Sequence, residues 1–110
     1  MKIAVIPNLD KRDADTYTRE ILAVLQENGA ETLMHEKHRG QYEYVTFCKN
    51  HAALAESCDL IVAVGGDGTI IHTAKHASVA GKPILGVNLG RLGFLAGVEK
   101  DELHLSLIHI

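Results

Sequence analysis

The chain has 110 residues, 46% of them hydrophobic and 10 of them glycine, and carries a formal net charge of −3. That length holds one domain rather than two and buries roughly 60–70% of the unfolded surface, and the composition argues against disorder. With no basic run, no charged-then-apolar leader and no apolar stretch of bilayer length, the sequence argues against nucleic acid or a membrane as main partner and makes the cytoplasm the expected compartment.

In chain order, residues 2–6 form a short β-branched apolar run stopped by Pro7-Asn8, which reads as a buried first strand and its loop. Asp13 or Asp15 is placed to cap the helix that follows. Tyr17, Ile21, Val24, Leu25 and Asn28 fall on one face at helical spacing, and Gly29 sits where a left-handed C-cap belongs. Residues 31–35 read as a second, weaker strand and the polar residues 36–43 as a loop. The mixed periodicity of residues 45–57 is taken as helix. Residues 59–64 are apolar without alternation, as in a strand covered on both faces. Residues 69–79 continue as helix, Gly81-Lys82-Pro83 breaks it, and residues 83–87 form another apolar strand. Cys48 and Cys58 make no Cys-x-x-Cys pair, so both are expected as free thiols, buried or half-buried, in a reducing compartment.

Strand and helix therefore alternate four strands deep. That order builds an α/β fold: a Rossmann-like parallel sheet with helices on both faces and right-handed crossovers. Such sheets bind ligands at the carboxyl ends of their strands. Here those ends carry Pro7-Asn8, Gly65-Gly66-Asp67-Gly68 and Asn88-Leu89-Gly90.

Gly65-Gly66-Asp67-Gly68-Thr69 follows the strongest strand and precedes a helix. Its three glycines permit a sharp turn without side chains that would block a phosphate, and the amides at the helix start favour an anion. Thr69 could cap the helix or donate to a phosphate oxygen. The spacing is neither a Walker A loop nor the dinucleotide fingerprint. Asp67 is the anomaly, because a carboxylate repels phosphate unless it has other work. It could hold a divalent cation, take a proton from an attacking hydroxyl, or merely cap the helix.

A second glycine-punctuated segment, residues 86–96, contains Phe94, which could lie against an aromatic base or pack beneath the loop. Taken together, the two segments resemble the NAD kinase family. Residues 65–69 are similar to its Gly-Gly-Asp-Gly-Thr motif, and residues 88–94 to its Asn-x-Gly-x-Leu-Gly-Phe segment. The resemblance runs from Lys2 to about Leu103. It implies phosphorylation of the 2′-hydroxyl of the adenosine ribose of NAD to give NADP. The implied donor is ATP or polyphosphate, the implied metal a divalent cation such as magnesium. It implies Asp67 as the catalytic carboxylate, Gly66, Gly68 and Thr69 as phosphate-handling residues, and Ile71 and Phe94 as walls of the adenine pocket. It further implies a homo-oligomer in the full-length protein.

The family continues into a β-rich domain with an Asn-Glu/Asp motif that also grips NAD, and no such segment lies in these 110 residues. The chain is therefore expected to be the N-terminal α/β domain, residues 1–103, and to be inactive alone. Residues 104–110 are set apart as a tail, because they alternate like a strand where the family enters a helix. Competing readings are a lipid or sugar kinase sharing the first motif, and a non-catalytic nucleotide-binding module. His72 and His76 have a zinc-like spacing but no third ligand, and read as solvent-facing or pocket-rim residues. His35 and His38 read as exposed, Lys11-Arg12 as a solvated loop before a contact to a nucleotide phosphate, and Arg91 as a residue in structural pairing before an anion site.

Overall fold

The computed structural model describes residues 1–90. Five parallel strands stand in the order β3-β2-β1-β4-β5. They are β1 (Lys2–Pro7), β2 (Glu31–His35), β3 (Val45–Cys48), β4 (Leu60–Gly65) and β5 (Ile84–Asn88). The helices are α1 (Ala14–Glu27), α2 (His51–Ser57) and α3 (Asp67–Ala80), with a 3-10 turn at Glu36–His38. The expected α/β architecture with helices on both faces is present, with one strand more than the sequence suggested.

The extra strand corrects the reading of residues 45–57 as one helix. Val45-Thr46-Phe47-Cys48 is β-branched and aromatic and pairs with β2 from Thr32↔Val45 to His35↔Cys48. Asn50 then ends the extended segment. Its side chain accepts from the Ala53 amide at 2.8 Å and caps α2.

Strand alternation divides the core in two. Ile3 and Val5 of β1, Val62 and Val64 of β4 and Met34 of β2 meet Ile21, Leu22 and Leu25 of α1 on one face. Ala4, Leu33 and Ile61 meet Leu54 and Ala55 of α2 and Ala77 of α3 on the other. β4 lies between β1 and β5 with every residue buried, in keeping with its unbroken apolar sequence. Cys58 is buried, Cys48 half-buried and both are free; burial pushes the Cys58 thiol up.

The capping expectation at α1 fails. Asp13 occupies the N-cap position in a left-handed conformation, φ 64°, without a side-chain cap, and Asp15 turns away to Tyr42 Oη (2.8 Å) and Arg19 Nε (3.1 Å). The C-terminal expectation holds, with Gly29 at φ 81° just after Asn28. His38 is the other correction. It is only 6% exposed, with its ring 6.0 Å from that of Tyr42, which is itself bonded to Asp15 of α1. Burial holds its imidazole below the ordinary histidine pKa.

Candidate active site

The chain reverses direction across the sheet at β1 and β4. β1 leads through α1 to β2 on one side, and β4 leads through α3 to β5 on the other. The carboxyl ends of adjacent strands there splay their connections apart and leave a crevice, the place where doubly wound sheets hold ligands. Register fixes which residues meet in it. Pro7 pairs with Val64, and Gly65 with Asn88, so Asn8, the glycine turn and Asn88 lie side by side.

The turn tightens directly into α3, with Gly66 as N-cap and Asp67 as the first helical residue. This removes the capping role for both polar residues of the motif. No side chain caps the helix, and Thr69 lies inside the first turn. The opening amides of α3 have no earlier carbonyl of the helix to donate to, which leaves them for an anion.

Each glycine of the turn has a distinct reason to lack a side chain. A Cβ on Gly65 would come within 2.8 Å of Thr69 Cβ, so the strand end and the first helical turn are in direct contact. A Cβ on Gly66 would sit 3.1 Å from Lys11 Cε and 3.3 Å from its Nζ. At Gly68 a Cβ would meet nothing within 4 Å, so that position faces open space.

Two asparagines bracket the turn. From β1, Asn8 Nδ2 donates to Thr69 Oγ1 at 3.2 Å, while Asn8 Oδ1 accepts from the Asp10 amide at 3.1 Å. This Asx turn folds the β1–α1 loop toward the glycines and carries Lys11 over Gly66. Among the described residues Lys11 forms no ion pair, so its ammonium adds uncompensated positive charge beside the helix start. From β5, Asn88 Nδ2 donates to Asp67 Oδ1 at 2.5 Å, and Asn88 Oδ1 accepts from the Gly90 amide at 3.0 Å. Because Thr69 accepts from Asn8, its own hydroxyl proton remains available to an acceptor.

The structure thus brings Gly66, Asp67, Gly68 and Thr69 together at one crevice. Ile71 lies one helical turn beyond Asp67 on the same side of α3 and is 59% exposed, a large apolar residue facing outward. Phe94, Arg91 and the tail 104–110 lie outside the described residues. Sequence reasoning placed Asn8 and Asn88 at the ligand-binding strand ends but assigned neither a partner, and it preferred a solvated loop for Lys11. The available signal was an asparagine just at or after the end of each strand flanking the glycine turn. His72 and His76 are both exposed on α3, their rings 4.9 Å apart.

Among the described residues no group of three or more His, Cys, Asp or Glu is arranged to hold a metal ion. The one carboxylate at the turn is Asp67, a hard oxygen donor. That suits a cation which takes one or two protein carboxylates and completes its shell with phosphate oxygens and water, as magnesium does.

The model of the ATP-NAD kinase N-terminal domain matches residues 3–110. The chain is 33% identical over 109 residues to an NAD kinase of Ruminiclostridium cellulolyticum, covering 99% of this chain and 38% of that relative. It is 36% identical over 106 residues to an NAD kinase of Thermoanaerobacter sp. strain X514, covering 96% and 38%. A solved structure of yeast NADH kinase complexed with NADH is similar with a TM-score of 0.72 at 18% identity, over 99% of this chain and 35% of that one, a likeness of fold. The chain spans about 38% of the length of these curated relatives.

Proposed function

This chain belongs to the NAD kinase family, and from that premise we propose that it supplies the phosphoryl-transfer half of an enzyme making NADP from NAD. The observation that carries the reading is the placement of Asp67. A carboxylate opens a helix after a three-glycine turn, is oriented by Asn88, and shares the crevice with Lys11, which forms no ion pair among the described residues.

In this reading the 2′-hydroxyl oxygen of the adenosine ribose attacks the terminal phosphorus of the donor. The new O–P bond forms as the bond from that phosphorus to its bridging oxygen breaks, and the shortened donor departs. Asp67 receives the hydroxyl proton. The Asn88 hydrogen bond engages Oδ1, which leaves Oδ2 to face the acceptor. Gly66, Gly68 and Thr69 hold phosphate through their amides and the Thr69 hydroxyl, and Lys11 neutralises part of its charge. Ile71, with Phe94, walls the adenine. Asp67 together with the donor phosphates fits magnesium, which when bound supplies charge neutralisation along the phosphate chain.

ATP or polyphosphate serves as donor. The protein acts in the cytoplasm, and the full-length enzyme is a homo-oligomer. Family membership supports these readings, and no helix among the described residues is long and apolar enough to cross a membrane. The 110 residues alone bind NAD weakly and do not turn over, because most of the rate in phosphoryl transfer comes from holding donor and acceptor in line.

The experiment is to incubate NAD, ATP and magnesium with a chain extended to the relatives' full length and with the 110-residue chain. Phosphorus NMR should show one NADP and one ADP formed per event with the extended chain only. Lipid or sugar phosphorylation in place of NADP, or full turnover by the short chain, would contradict the reading.

A further inference from the structure

A second feature of the crevice lies on the opposite side of the glycine turn from Asn88. A cavity of about 380 Å³ opens between the end of β1, the 3-10 turn, α2 and the first turns of α3. Ile6 and Pro7 give it an apolar edge, and its polar groups converge from four separate elements. Among the described residues no carboxylate lines it. A larger hollow along α1 holds Glu20 and Glu27, and so suits an anion poorly.

The cavity's charge is one-sided. Among the described residues Lys37 forms no ion pair. Two of its lining residues, His51 and His72, belong to a ladder of imidazoles. His35 at the end of β2 lies 4.9 Å from His51 at the start of α2, His51 lies 5.7 Å from His76, and His76 lies 4.9 Å from His72 on α3. The groups acting on His51 are burial first, then His35, Lys37, His76 and His72. Each of these disfavours its protonated form, and no carboxylate is among them. The end of β1 contributes apolar Ile6 and Pro7, and the residue after it, Asn8, is neutral. A cation and several N–H donors with no carboxylate among the described lining residues favour an anion.

We propose that this cavity, lined by Lys37, His51 and His72 with Asn8, Gly68 and Thr69, receives the phosphate tail of the phosphoryl donor. The placement follows from in-line transfer. Asp67 is tied toward β5 by Asn88, whereas the cavity opens toward β1 and β2, so acceptor and donor approach the glycine turn from opposite sides. The assignment of the anion to the donor rests on the kinase reading; the anion site does not. Lys37 carries the fixed charge that phosphate pairs with, and the imidazoles of His51 and His72 offer N–H donors beside it.

The test is calorimetric titration of the chain with inorganic tripolyphosphate, ATP and adenosine at pH 6 and pH 8. The variants are Lys37→Met, His72→Gln and His51→Gln, with Lys82→Met at the far end of the sheet as control. Comparison at one pH cancels protonation of the ligand itself. Each of the three cavity variants should weaken tripolyphosphate at pH 6 by roughly 3- to 10-fold, the scale of a partly exposed charge-assisted contact. The loss in Lys37→Met should persist at pH 8, and Lys82→Met should match the parent at both pH values. Lys37 and His72 are exposed, so their variants report binding even if His51→Gln loosens α2. ATP and tripolyphosphate losing affinity in parallel supports tail recognition. A parallel loss on top of tighter ATP binding points to a nucleotide as the source, and equal affinities point to the tail alone. Affinities unchanged in Lys37→Met and His72→Gln, or ATP binding with tripolyphosphate silent, would overturn the proposal. A 110-residue chain that binds tripolyphosphate through these residues, set beside a full-length chain that makes no NADP, would leave the anion site standing and remove the kinase reading; NADP formation by the full-length chain with no phosphate-tail binding through these residues would do the reverse.

Discussion

Asn88 donates from Nδ2 to Oδ1 of Asp67 across 2.5 Å, joining the end of β5 to the first residue of α3. The hydrogen bond occupies one carboxylate oxygen and sets the plane of the other, so Asn88 is a positioning residue for whatever Asp67 does. In a chain of the relatives' full length, Asn88→Ala should lower kcat by about 10-fold, less than loss of the carboxylate itself, with KM for NAD moving far less. Steady-state kinetics separates the two; a change confined to KM would mean that Asn88 serves binding alone.

The glycines of the turn should not behave alike. Gly65→Ala drives a methyl group into Thr69 and should destabilise the fold by about 1–3 kcal/mol. Gly68→Ala meets open space within a helix and should be neutral or stabilising by up to about 1 kcal/mol, while weakening phosphate binding by crowding the approach. Urea unfolding of both variants, paired with tripolyphosphate titration of Gly68→Ala, checks the contrast.

Much of this fold could be read from sequence, because an apolar run and a glycine carry their structural meaning locally. The run ending at Gly65 is a buried strand in any context that covers both faces, and Gly29 and Gly81 end helices where their positive φ is needed. What failed depended on partners distant in sequence. Residues 45–48 became a strand because β2 offered an open edge, although Asn50 was a visible break between them and α2. His38 looked exposed in a polar stretch, yet Tyr42 pulls that stretch onto α1. Asn8 could be placed at a strand end from sequence, but its bond to Thr69 and the approach of Lys11 to Gly66 follow from the register of Pro7 against Val64.

The hydrogen bond from Tyr42 to Asp15 should make stability depend on pH. Tyr42 and then Arg19 hold the Asp15 carboxyl below its ordinary pKa, and burial with the Asp15 bond pushes Tyr42 up to about 12. A depressed carboxylate stabilises the fold above its unfolded pKa and loses that contribution as pH falls through the folded value. A raised phenol loses its contribution as pH climbs from its unfolded value toward the folded one. Tyr42→Phe should therefore cost about 1–2 kcal/mol at pH 7. The difference should narrow below about pH 4 and again above about pH 10. Chemical denaturation across that range would show a constant gap if the hydrogen bond were not responsible.

Ile71 is apolar, 59% exposed and one turn from Asp67, a poor place for a side chain that only stabilises. Ile71→Ser should leave unfolding free energy within about 0.5 kcal/mol. NAD affinity of the full-length chain should fall roughly 3- to 10-fold as apolar contact with the adenine is lost. Equal affinity in the two proteins would remove Ile71 from the pocket.

The central claim is that the Asp67 carboxylate, rather than the glycine turn alone, drives the transfer. The most direct measurement is NADP formation by a full-length chain carrying Asp67→Asn, set beside its NAD affinity by calorimetry. The substitution keeps the size of the side chain and removes the charge that accepts the proton. The account predicts a fall in kcat of about 10²- to 10⁴-fold with NAD affinity changed no more than about two-fold. Turnover within a factor of two of the parent would contradict it and leave Asp67 as no more than the first residue of its helix.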